Sequence, residues 1–534
     1  MESKGITYEE FLSKQGLPNG FPKEVLLECD SIPDYVIDED KEERLDLTDE
    51  LIITIDGDTA KDFDDAISIT PLMNGNITLG VHIADVSHYV KVGSKLDAEA
   101  YERGNSTYLI NKVVPMLPHK LSNGICSLNE GVERLCLSVL MEVDAQGGMI
   151  SYDIKRTVIK SRHRMTYNDV QKIIDGDPQL SHKYANIVPM LDTMSKLAKI
   201  LLAKRIRRGS LEFEIPEPEI ILDEDEKPIS VGKYPIYFSN HIIEEFMLLA
   251  NETIARHFEK LKVPLVFRIH ENPEPEKIAR FAKMLSSVGI RLKIDKNETV
   301  NPKALQEIIK LIHNEPYELA CETLMLRSMM KARYWGENLG HFGLAAKYYC
   351  HYTSPIRRYP DLIVHRIIKA YMDSEIDEED LPQLRDYCNQ AGNHLSECEN
   401  VSTKAERDWD AYKMAEYMED KVGDLFEGTI TSVTSFGLFI MLDNLIEGLV
   451  KIGDLKDDYY IFDEINATLT GKRSGNLYSI GDKLTVQLVR VNKDLMQIDF
   501  IIKEDTQYNK KKRETKKVIG ETYKHRKLKI RKRK

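Results

Sequence analysis

The spacing of hydrophobic and polar residues predicts β-strands along much of the first third of the chain. From residue 51 to about residue 159 the pattern is mostly that of strands. Asn74 and Gly75 interrupt it, and this dipeptide favours the tight turn of a β-hairpin. We therefore expect a sheet here, and we expect the polar, acidic residues 1–50 to form a lead-in segment or linker.

The period becomes helical further along the chain. Residues 167–202 have helical spacing, and a strand-like piece follows at 211–222. Residues 239–261 predict a long helix that is apolar nearly all round, which is typical of a buried helix. Helical segments then dominate residues 276–417. Because these patterns are interwoven, we expect one α+β domain over residues 51–420.

The pattern changes again at Gly423. Five short alternating strands over about 80 residues predict a small β-barrel of the OB type over residues 421–505. The expected strands are 425–433, 437–442, 447–452, 483–491 and 496–502. Residues 506–534 predict a disordered basic tail. The expected fold class is therefore an α+β domain followed by an all-β five-stranded OB barrel and this tail.

Two phenylalanines flank a glycine in the barrel sequence SFGLFI. Phe436 and Phe439 are either core residues or platforms on which nucleic-acid bases stack, as aromatics in this barrel class often are. On a regular strand Gly437 and Phe439 share a face, and Phe436 points the other way unless the chain bulges. We favour the base-stacking interpretation.

Composition and charge narrow the class of protein. Hydrophobic residues make up 42% of the chain and charged residues 30%, which fits a globular protein. No apolar run reaches the length of a membrane-spanning helix, and the first residues do not resemble a signal peptide. The seven cysteines contain no C-x-x-C pair, which argues against a zinc site or disulfide framework and for a reducing cytoplasm.

The net charge of −13 hides an asymmetry. Residues 510–534 contain 14 Lys or Arg and two acids, so the tail carries +12 and the rest of the chain carries −25. Such a tail is typical of an electrostatic arm for a polyanion, most simply nucleic acid. A solubilising terminus explains the charge run equally well.

The stretch TIDGDTAKDFDDAISI carries the densest chemistry. Five aspartates stand within ten residues between apolar, strand-forming flanks: Asp56, Asp58, Asp62, Asp64 and Asp65. Two such carboxylates repel each other by roughly 3 kcal/mol at 5 Å and an effective dielectric constant near 20. A divalent cation is therefore expected among them, and Mg²⁺ binds a few carboxylates plus substrate phosphate.

Two ions held about 3.5–4 Å apart by such a cluster can clamp the attacking and leaving oxygens of a phosphoryl displacement. A Ca²⁺-binding EF-hand is excluded, because its fifth and sixth positions would be Ala60 and Lys61. A solvated acidic loop does not need the apolar flanks. The cluster is therefore the first candidate for an active site.

A second constellation is HYTSPIRRYPDLIVHR, residues 351–366. Its two prolines stiffen a loop that presents Arg357 and Arg358 beside a helix expected to begin near Asp361. Two guanidiniums beside a helix N-terminus suit a phosphate. An ion pair with the acidic body, for example with Asp361, is the structural alternative.

Other candidates are carboxylates and aromatics. Glu244 and Glu245 stand inside the apolar helix, where a carboxylate needs a partner such as Arg357, a sugar hydroxyl or a structural network. Three further aromatics stand on expected loops or strand ends, and aromatics at such positions are, taken singly, more often core residues than base platforms. They are Tyr108, Tyr167 and Phe213.

The order of these motifs resembles the RNB family of exoribonucleases. The matching blocks are TIDGDTAKDFDDA, HIADVSHYV, VVPMLPHKLSNGICSLNE, IIEEFMLLAN, FRIHENPEPEKI, LRSMMKARY, GHFGLA and TSPIRRYPDLIVHR. The resemblance covers about residues 10–420, and the barrel that follows is similar to the S1-type RNA-binding domain. DGDTAKDFDD, RRYPD and the basic tail are more similar to the ribonuclease R branch than to the ribonuclease II branch.

The resemblance implies a hydrolase that digests RNA processively from the 3′ end and releases nucleoside 5′-monophosphates with Mg²⁺, with Mn²⁺ as an alternative ion. The implied metal ligands are Asp56, Asp62, Asp64 and Asp65, with Asp58 left out. The implied catalytic residues are Asp64, Arg357 and Glu245, with Glu244 as the alternative glutamate. The implied RNA-binding residues are Tyr108, Tyr167, Phe213, Arg358, Phe436 and Phe439.

The family usually carries two cold-shock-type OB domains before the catalytic domain, and Met1 stands about where the linker after them would begin. Either the chain is a fragment or this protein lacks them. We expect activity with weaker capture of RNA, on single strands or 3′ overhangs, by a cytoplasmic monomer without membrane contact. The alternative is an RNA-binding regulator with weak or no nuclease activity.

Overall fold

The computed structural model describes residues 6–503, except 213–215, 288, 296–298, 314, 316–317 and 465–466. The expected tail and Phe213 therefore lie outside the described residues. Among the described residues, no helix is both long and apolar enough to cross a membrane. No disulfide joins the seven cysteines, all of which lie in the described part.

Thirteen α-helices are described. They are α1 (Tyr8–Gln15), α2 (Lys23–Asp30), α3 (Val86–Tyr89), α4 (Lys95–Arg103), α5 (Tyr167–Ile174), α6 (Pro178–Lys183), α7 (Val188–Arg208), α8 (Phe238–Leu261), α9 (Pro275–Ser287), α10 (Pro302–Ile312), α11 (Glu318–Ser328), α12 (Tyr359–Met372) and α13 (Leu381–Met418).

The described strands in the first half of the chain form mainly one sheet. They are β1 (Leu45–Leu47), β2 (Ile53–Asp56), β3 (Asp65–Pro71), β4 (Ile77–Ala84), β5 (Thr107–Leu109), β6 (Lys112–Val114), β7 (Glu133–Val143), β8 (Met149–Lys160), β9 (His163–Thr166), β10 (Pro218–Leu222) and β11 (Pro228–Lys233). The remaining described strands are β12 (Phe267–Ile269), β13 (Arg333–Trp335), β14 (Leu425–Thr434), β15 (Gly437–Leu442), β16 (Glu447–Lys451), β17 (Tyr460–Asp463), β18 (Thr468–Gly471), β19 (Leu477–Ser479), β20 (Lys483–Asn492) and β21 (Gln497–Ile502).

The chain separates into two compact units. The first comprises Met1–Ile215, Tyr234–His313 and Leu324–Asp410, and the second comprises Pro216–Lys233, Asn314–Thr323 and Ala411–Lys534. The domain bounds expected from the sequence, at 50, 420 and 505, stay predictions.

A seven-stranded sheet forms the centre of the first unit, in the order β1-β8-β7-β4-β3-β2-β9. Pairing is parallel for β1 with β8 and for β2 with β9, and antiparallel elsewhere. The predicted hairpin is confirmed as β3 and β4, and Gly75 takes a φ of +84° in its turn, where a side chain would be strained. Helices α7 and α8 pack against β3 and β4.

The predicted buried helix is confirmed as α8. Its apolar side chains at Ile242, Phe246 and Ile254 are fully shielded from solvent and belong to the core beneath the sheet. The strand-like piece expected at 211–222 is only partly confirmed. Among its described residues, the strand is limited to β10.

The second unit contains the predicted barrel. Strands β14, β15, β16, β21 and β20 close on themselves in that order, which confirms the five-stranded OB topology. A second, three-stranded sheet of β17, β18 and β19 lies in the chain between β16 and β20. The sequence analysis did not predict this sheet.

Candidate active site

The acidic loop connects two neighbouring strands of the seven-stranded sheet. Strand β2 ends at Asp56 and β3 begins at Asp65, so residues 57–64 span the gap between them. Four of the five aspartates line one cavity of about 320 Å³: Asp56, Asp62, Asp64 and Asp65. Asp58 is exposed and does not line this cavity.

The other walls of the cavity come from distant segments. Tyr167 is the first residue of α5, whereas Glu244 and Asn251 stand on α8. Arg357 and Arg358 come from the turn that precedes α12. The structure thus brings together three of the constellations that the sequence singled out separately.

Asp64 joins the acidic loop to the arginine turn. Its Oδ1 accepts a hydrogen bond of 2.8 Å from the backbone N–H of Ile356, and its Oδ2 lies 3.6 Å from Nε of Arg357. The turn itself is fixed because the N–H groups of Arg357 and Arg358 both donate to the carbonyl of Ser354. The Asp64 carboxylate and the Arg357 guanidinium are therefore held next to each other.

Burial governs the charges of the cluster. It raises the pKa of Asp56 and of Asp64 well above the usual range, and the neighbouring aspartates raise them further. Burial also raises the pKa of Asp65 to about 6, while Arg357 and Arg358 oppose that shift. Without a cation, these side chains thus resist carrying full charge at the same time.

Within the acidic loop and its flanking strands, two buried carboxylate oxygens accept no hydrogen bond: Oδ2 of Asp56, and Oδ2 of Asp64, whose nearest cation is Arg357. An orphaned carboxylate oxygen facing a polar cavity is the chemistry of a divalent-cation ligand. In the described part of the chain, no three acidic, His or Cys side chains converge on a single ion position. The residues thus fit an open site, in which one or two carboxylates and substrate oxygens share each ion.

The two arginines differ in what they contact. Arg358 pairs with Asp361 over 2.7 Å, and Asp361 also accepts from the N–H of Ser354. Arg358 therefore forms the ion pair with Asp361 that was the structural alternative for this motif. The side chain of Arg357 is 42% exposed, so it reaches the cavity and remains available to an anion.

Glu245 does not lie at the cavity. Its carboxylate is buried against Arg205, at 2.6 Å from Nη2, and Arg205 also contacts Glu212. The neighbouring Glu244 lines the cavity instead, with a side chain that is 45% exposed. Glu244 also lies 3.4 Å from Nη2 of Arg205, so both glutamates contact this arginine. The difference is that Glu245, the glutamate preferred from the sequence, is buried away from the cavity, whereas Glu244 lines it.

Tyr108 lies beside the acidic loop. Its hydroxyl donates to Oδ2 of Asp62 over 2.9 Å, and its N–H donates to Oε1 of Glu406 over 2.8 Å. Sequence reasoning missed Glu406, because a glutamate within the long helix α13 carries no local signal of this contact. Both Tyr108 and Glu406 line a second pocket of about 220 Å³ that shares Arg357 and Arg358 with the first.

The aromatic pair of the barrel lies at the surface of the second unit. Phe436 is 55% exposed and Phe439 is half-buried. Their rings are 5.9 Å apart and nearly perpendicular. The pair is therefore not sealed in the barrel core, and one face of Phe436 is open to a planar ligand.

Comparison with known protein families agrees with this geometry. The RNB domain matches residues 44–374, and the S1 RNA binding domain matches residues 419–503. The chain belongs to the RNB family. RNB-family ribonucleases are metal-dependent hydrolases, and the acidic cavity lies within the matched RNB region.

Two relatives and one solved structure illustrate how similar this RNB protein is to other members of the family and how much of their length it covers. It is 44% identical over 499 residues to ribonuclease R 1 of Lactococcus lactis, which covers 93% of this chain and 61% of the relative. It is 43% identical over 492 residues to ribonuclease R of Thermotoga maritima, covering 91% and 69%. A Mycoplasma genitalium RNase R bound to ribose-methylated single-stranded RNA superposes with a TM-score of 0.85 at 28% identity, covering 93% and 77%.

Proposed function

We propose that the protein is a hydrolytic 3′→5′ exoribonuclease that degrades RNA processively to nucleoside 5′-monophosphates. The observation that carries the proposal is the single cavity lined by four aspartates and Arg357, in which two buried aspartate oxygens accept no hydrogen bond. The relatives named ribonuclease R support the reaction, and the RNA-bound neighbour supports the substrate. The direction of digestion rests on this likeness.

In this proposal, Asp56, Asp62, Asp64 and Asp65 hold Mg²⁺, as two ions that Mn²⁺ can replace. When bound, such ions supply an activated water and neutralise the leaving 3′-oxygen. Asp64 is kept in position by the Ile356 N–H. The remaining steps concern the RNA itself.

Arg357 steadies the scissile phosphate and the charge that develops on it, because its guanidinium faces the cavity from the wall next to Asp64. The Tyr108 and Tyr167 rings stack on the last bases, and Glu244 accepts a hydrogen bond from a sugar hydroxyl. Phe213, outside the described residues, is a further candidate for base stacking. Contacts to the 2′-hydroxyl select RNA over DNA.

Residues 51–420 carry the reaction in this proposal, while the barrel of residues 421–505 and the tail of residues 506–534 hold the strand. Phe436 and Phe439 provide a stacking surface, and Arg358 fixes the phosphate-binding turn through Asp361. The substrate is single-stranded RNA or a 3′ overhang. We also propose that the enzyme is a monomer and that it acts in the cytoplasm, where its scattered cysteines would stay reduced.

Digestion of a 5′-labelled single-stranded RNA of about 30 nucleotides tests the proposal. We expect a ladder that shortens from the 3′ end, free nucleoside 5′-monophosphates, and complete inhibition by EDTA that excess Mg²⁺ or Mn²⁺ reverses. The same sequence as DNA is the control for substrate class. A second RNA, whose 3′ end is base-paired within a hairpin, distinguishes exonuclease cleavage from endonuclease cleavage.

The alternative is a regulator that binds RNA without cutting it. It would be the correct function if the purified chain bound the RNA but released no mononucleotide at any Mg²⁺ or Mn²⁺ concentration. The four intact carboxylates at the cavity argue against it, because a binding surface for polyanionic RNA does not need buried aspartates.

A further inference from the structure

The backbone of the acidic loop is fastened by a buried serine. Ser127 is fully shielded from solvent, and its hydroxyl donates to the carbonyl of Lys61 over 2.8 Å. The same oxygen accepts from the N–H of Phe63 over 3.0 Å. A hydroxyl can donate and accept at once, so the Ser127 side chain is hydrogen-bonded to the backbone on both sides of Asp62.

The serine is itself held in place. Nε of Arg134, a buried arginine, donates to the carbonyl of Ser127 over 2.8 Å. The next residue, Leu128, donates its N–H to the carbonyl of Phe63 over 3.0 Å. Ser127 and Leu128, which lie near the end of the block VVPMLPHKLSNGICSLNE, therefore form a fixed support for the loop.

A second side chain fastens the other end of the loop. Nη2 of Arg164, on β9, donates to the carbonyls of Gly57 and Asp58 at 2.7 and 3.0 Å. Its guanidinium also lies 5.5 Å from the centre of the Phe63 ring. Arg164 thus acts on the main chain immediately after Asp56, where β2 has ended and no strand pairing constrains the chain.

These contacts oppose the repulsion among the aspartates. Four carboxylates around one cavity repel one another when no cation balances them. Bonds from Ile356 and Tyr108 hold the side chains of Asp64 and Asp62, whereas Ser127 and Arg164 hold the main chain between them and Asp56. Because both fasteners bind backbone atoms, they leave the carboxylate oxygens available to ligands. Neither residue touches the place where RNA would react.

We propose that Ser127 and Arg164 are positioning residues that hold the acidic loop in its ion-binding conformation before any ion is bound. The inference rests on the proposed function, since it assumes that the aspartates bind Mg²⁺. Loosening the loop lowers the fraction of molecules ready to bind, and the apparent affinity for the ion falls by that fraction.

Hydrogen–deuterium exchange of the metal-free chain in EDTA tests the fastening itself. We compare wild type with Ser127→Ala and Arg164→Met. Arg164 is only half-buried, so its replacement provides a second variant if Ser127→Ala does not fold. Peptides covering residues 57–65 should exchange at least about fivefold faster in both variants, because each has lost contacts that limit local opening.

Ser138→Ala is the matched control. Ser138, on β7, is as fully buried as Ser127. Its hydroxyl is hydrogen-bonded to His82 and Thr157, away from the acidic loop. It should leave exchange at 57–65 unchanged. Exchange at 57–65 that is equal in wild type, Ser127→Ala and Arg164→Met, or equally accelerated in Ser138→Ala, overturns the inference whether or not the chain degrades RNA.

Titration of Mn²⁺, followed by the loss of the free-ion paramagnetic resonance signal, tests the consequence without RNA or turnover. We expect about tenfold weaker binding by Ser127→Ala and Arg164→Met, and wild-type binding by Ser138→Ala. Equal affinity in all four proteins overturns the positioning role. If wild type binds no Mn²⁺ at all, the proposed metal site fails, and the exchange experiment still decides whether the loop is fastened.

Discussion

The backbone N–H of Ile356 donates a hydrogen bond of 2.8 Å to Oδ1 of Asp64, across 292 residues of sequence. This bond places the most buried carboxylate of the acidic loop beside the arginine turn, and it leaves Oδ2 of Asp64 without a hydrogen bond, 3.6 Å from Nε of Arg357. The role of Asp64 in fixing the turn can therefore be separated from its role as a charged ligand.

Asp64→Asn should abolish activity while stabilising the metal-free protein. The amide oxygen of asparagine can still accept from Ile356, but the buried charge is gone. We expect RNA hydrolysis to fall at least about a hundredfold. We also expect the free energy of unfolding in EDTA at pH 7.5 to rise by roughly 1–2 kcal/mol, measured by urea denaturation. Hydrolysis as fast as wild type would remove Asp64 from the site.

The stability of the metal-free protein should depend on pH through Asp65. The pKa of Asp65 is raised to about 6 in the fold, whereas the unfolded chain has the usual value of 3.8. Both states are protonated well below pH 3.8. As the pH rises through 3.8, the unfolded state loses its proton first, so folding stability falls until about pH 6. From pH 4 to 7.5, wild type should lose roughly 2 kcal/mol relative to Asp65→Asn in EDTA.

Urea denaturation of both proteins at four pH values measures this difference, and saturating Mg²⁺ should remove it because the ion favours the charged form. A stability difference that is the same at pH 4 and pH 7.5 would show that Asp65 does not titrate in this range.

Glu244 and Glu245 should separate function from stability. Glu245→Gln weakens the buried contact with Arg205, so we expect a loss of roughly 1–3 kcal/mol in the free energy of unfolding, with little change in hydrolysis per folded molecule. Glu244→Gln should change stability by less than about 0.5 kcal/mol and slow RNA hydrolysis severalfold. The reverse pattern would restore Glu245 as the glutamate of the site.

Two substitutions of Tyr108 distinguish its ring from its hydroxyl. Tyr108→Phe loses only the bond to Asp62 and should bind a short single-stranded RNA in EDTA as tightly as wild type. Tyr108→Ala also loses the stacking surface, so its affinity should fall about 10- to 100-fold, corresponding to roughly 1–3 kcal/mol per stacked base. Fluorescence anisotropy measures both. Equal losses in the two variants would indicate that the ring does not contact a base.

Deletion of residues 510–534 should weaken RNA binding and reduce its dependence on salt. The deleted segment carries 14 Lys or Arg and two acids, and each phosphate contact that is lost lowers the slope of log affinity against log salt by about 0.7 for a single strand. Affinity measured between 50 and 300 mM KCl tests this. An unchanged slope would show that the tail does not neutralise phosphates.

Local patterns in the sequence were sufficient for the acidic loop, the β3–β4 hairpin, helix α8 and the five barrel strands. Each depends on residues within about ten positions of one another, and hydrophobic periodicity reports such neighbours directly. The sheet of β17, β18 and β19 was missed, because its short strands have no long alternating run.

The side chains that complete the site could not be identified in this way. Glu244 and Glu245 are adjacent on a helix that is apolar nearly all round, so periodicity does not show which of them faces the cavity. Glu406 meets Tyr108 across 298 residues, and Ser127 meets the acidic loop across more than 60. Such contacts arise from tertiary packing alone.

The 292-residue separation of Asp64 and Ile356 also sets an order of events during synthesis of the protein. The ribosome completes the acidic loop long before it adds the turn that carries Arg357, and chains fold as their segments emerge. A nascent chain shorter than this therefore has the aspartates but no closed cavity around them. In the proposed function, the growing chain thus cannot cut RNA until the ribosome has added the turn that carries Arg357.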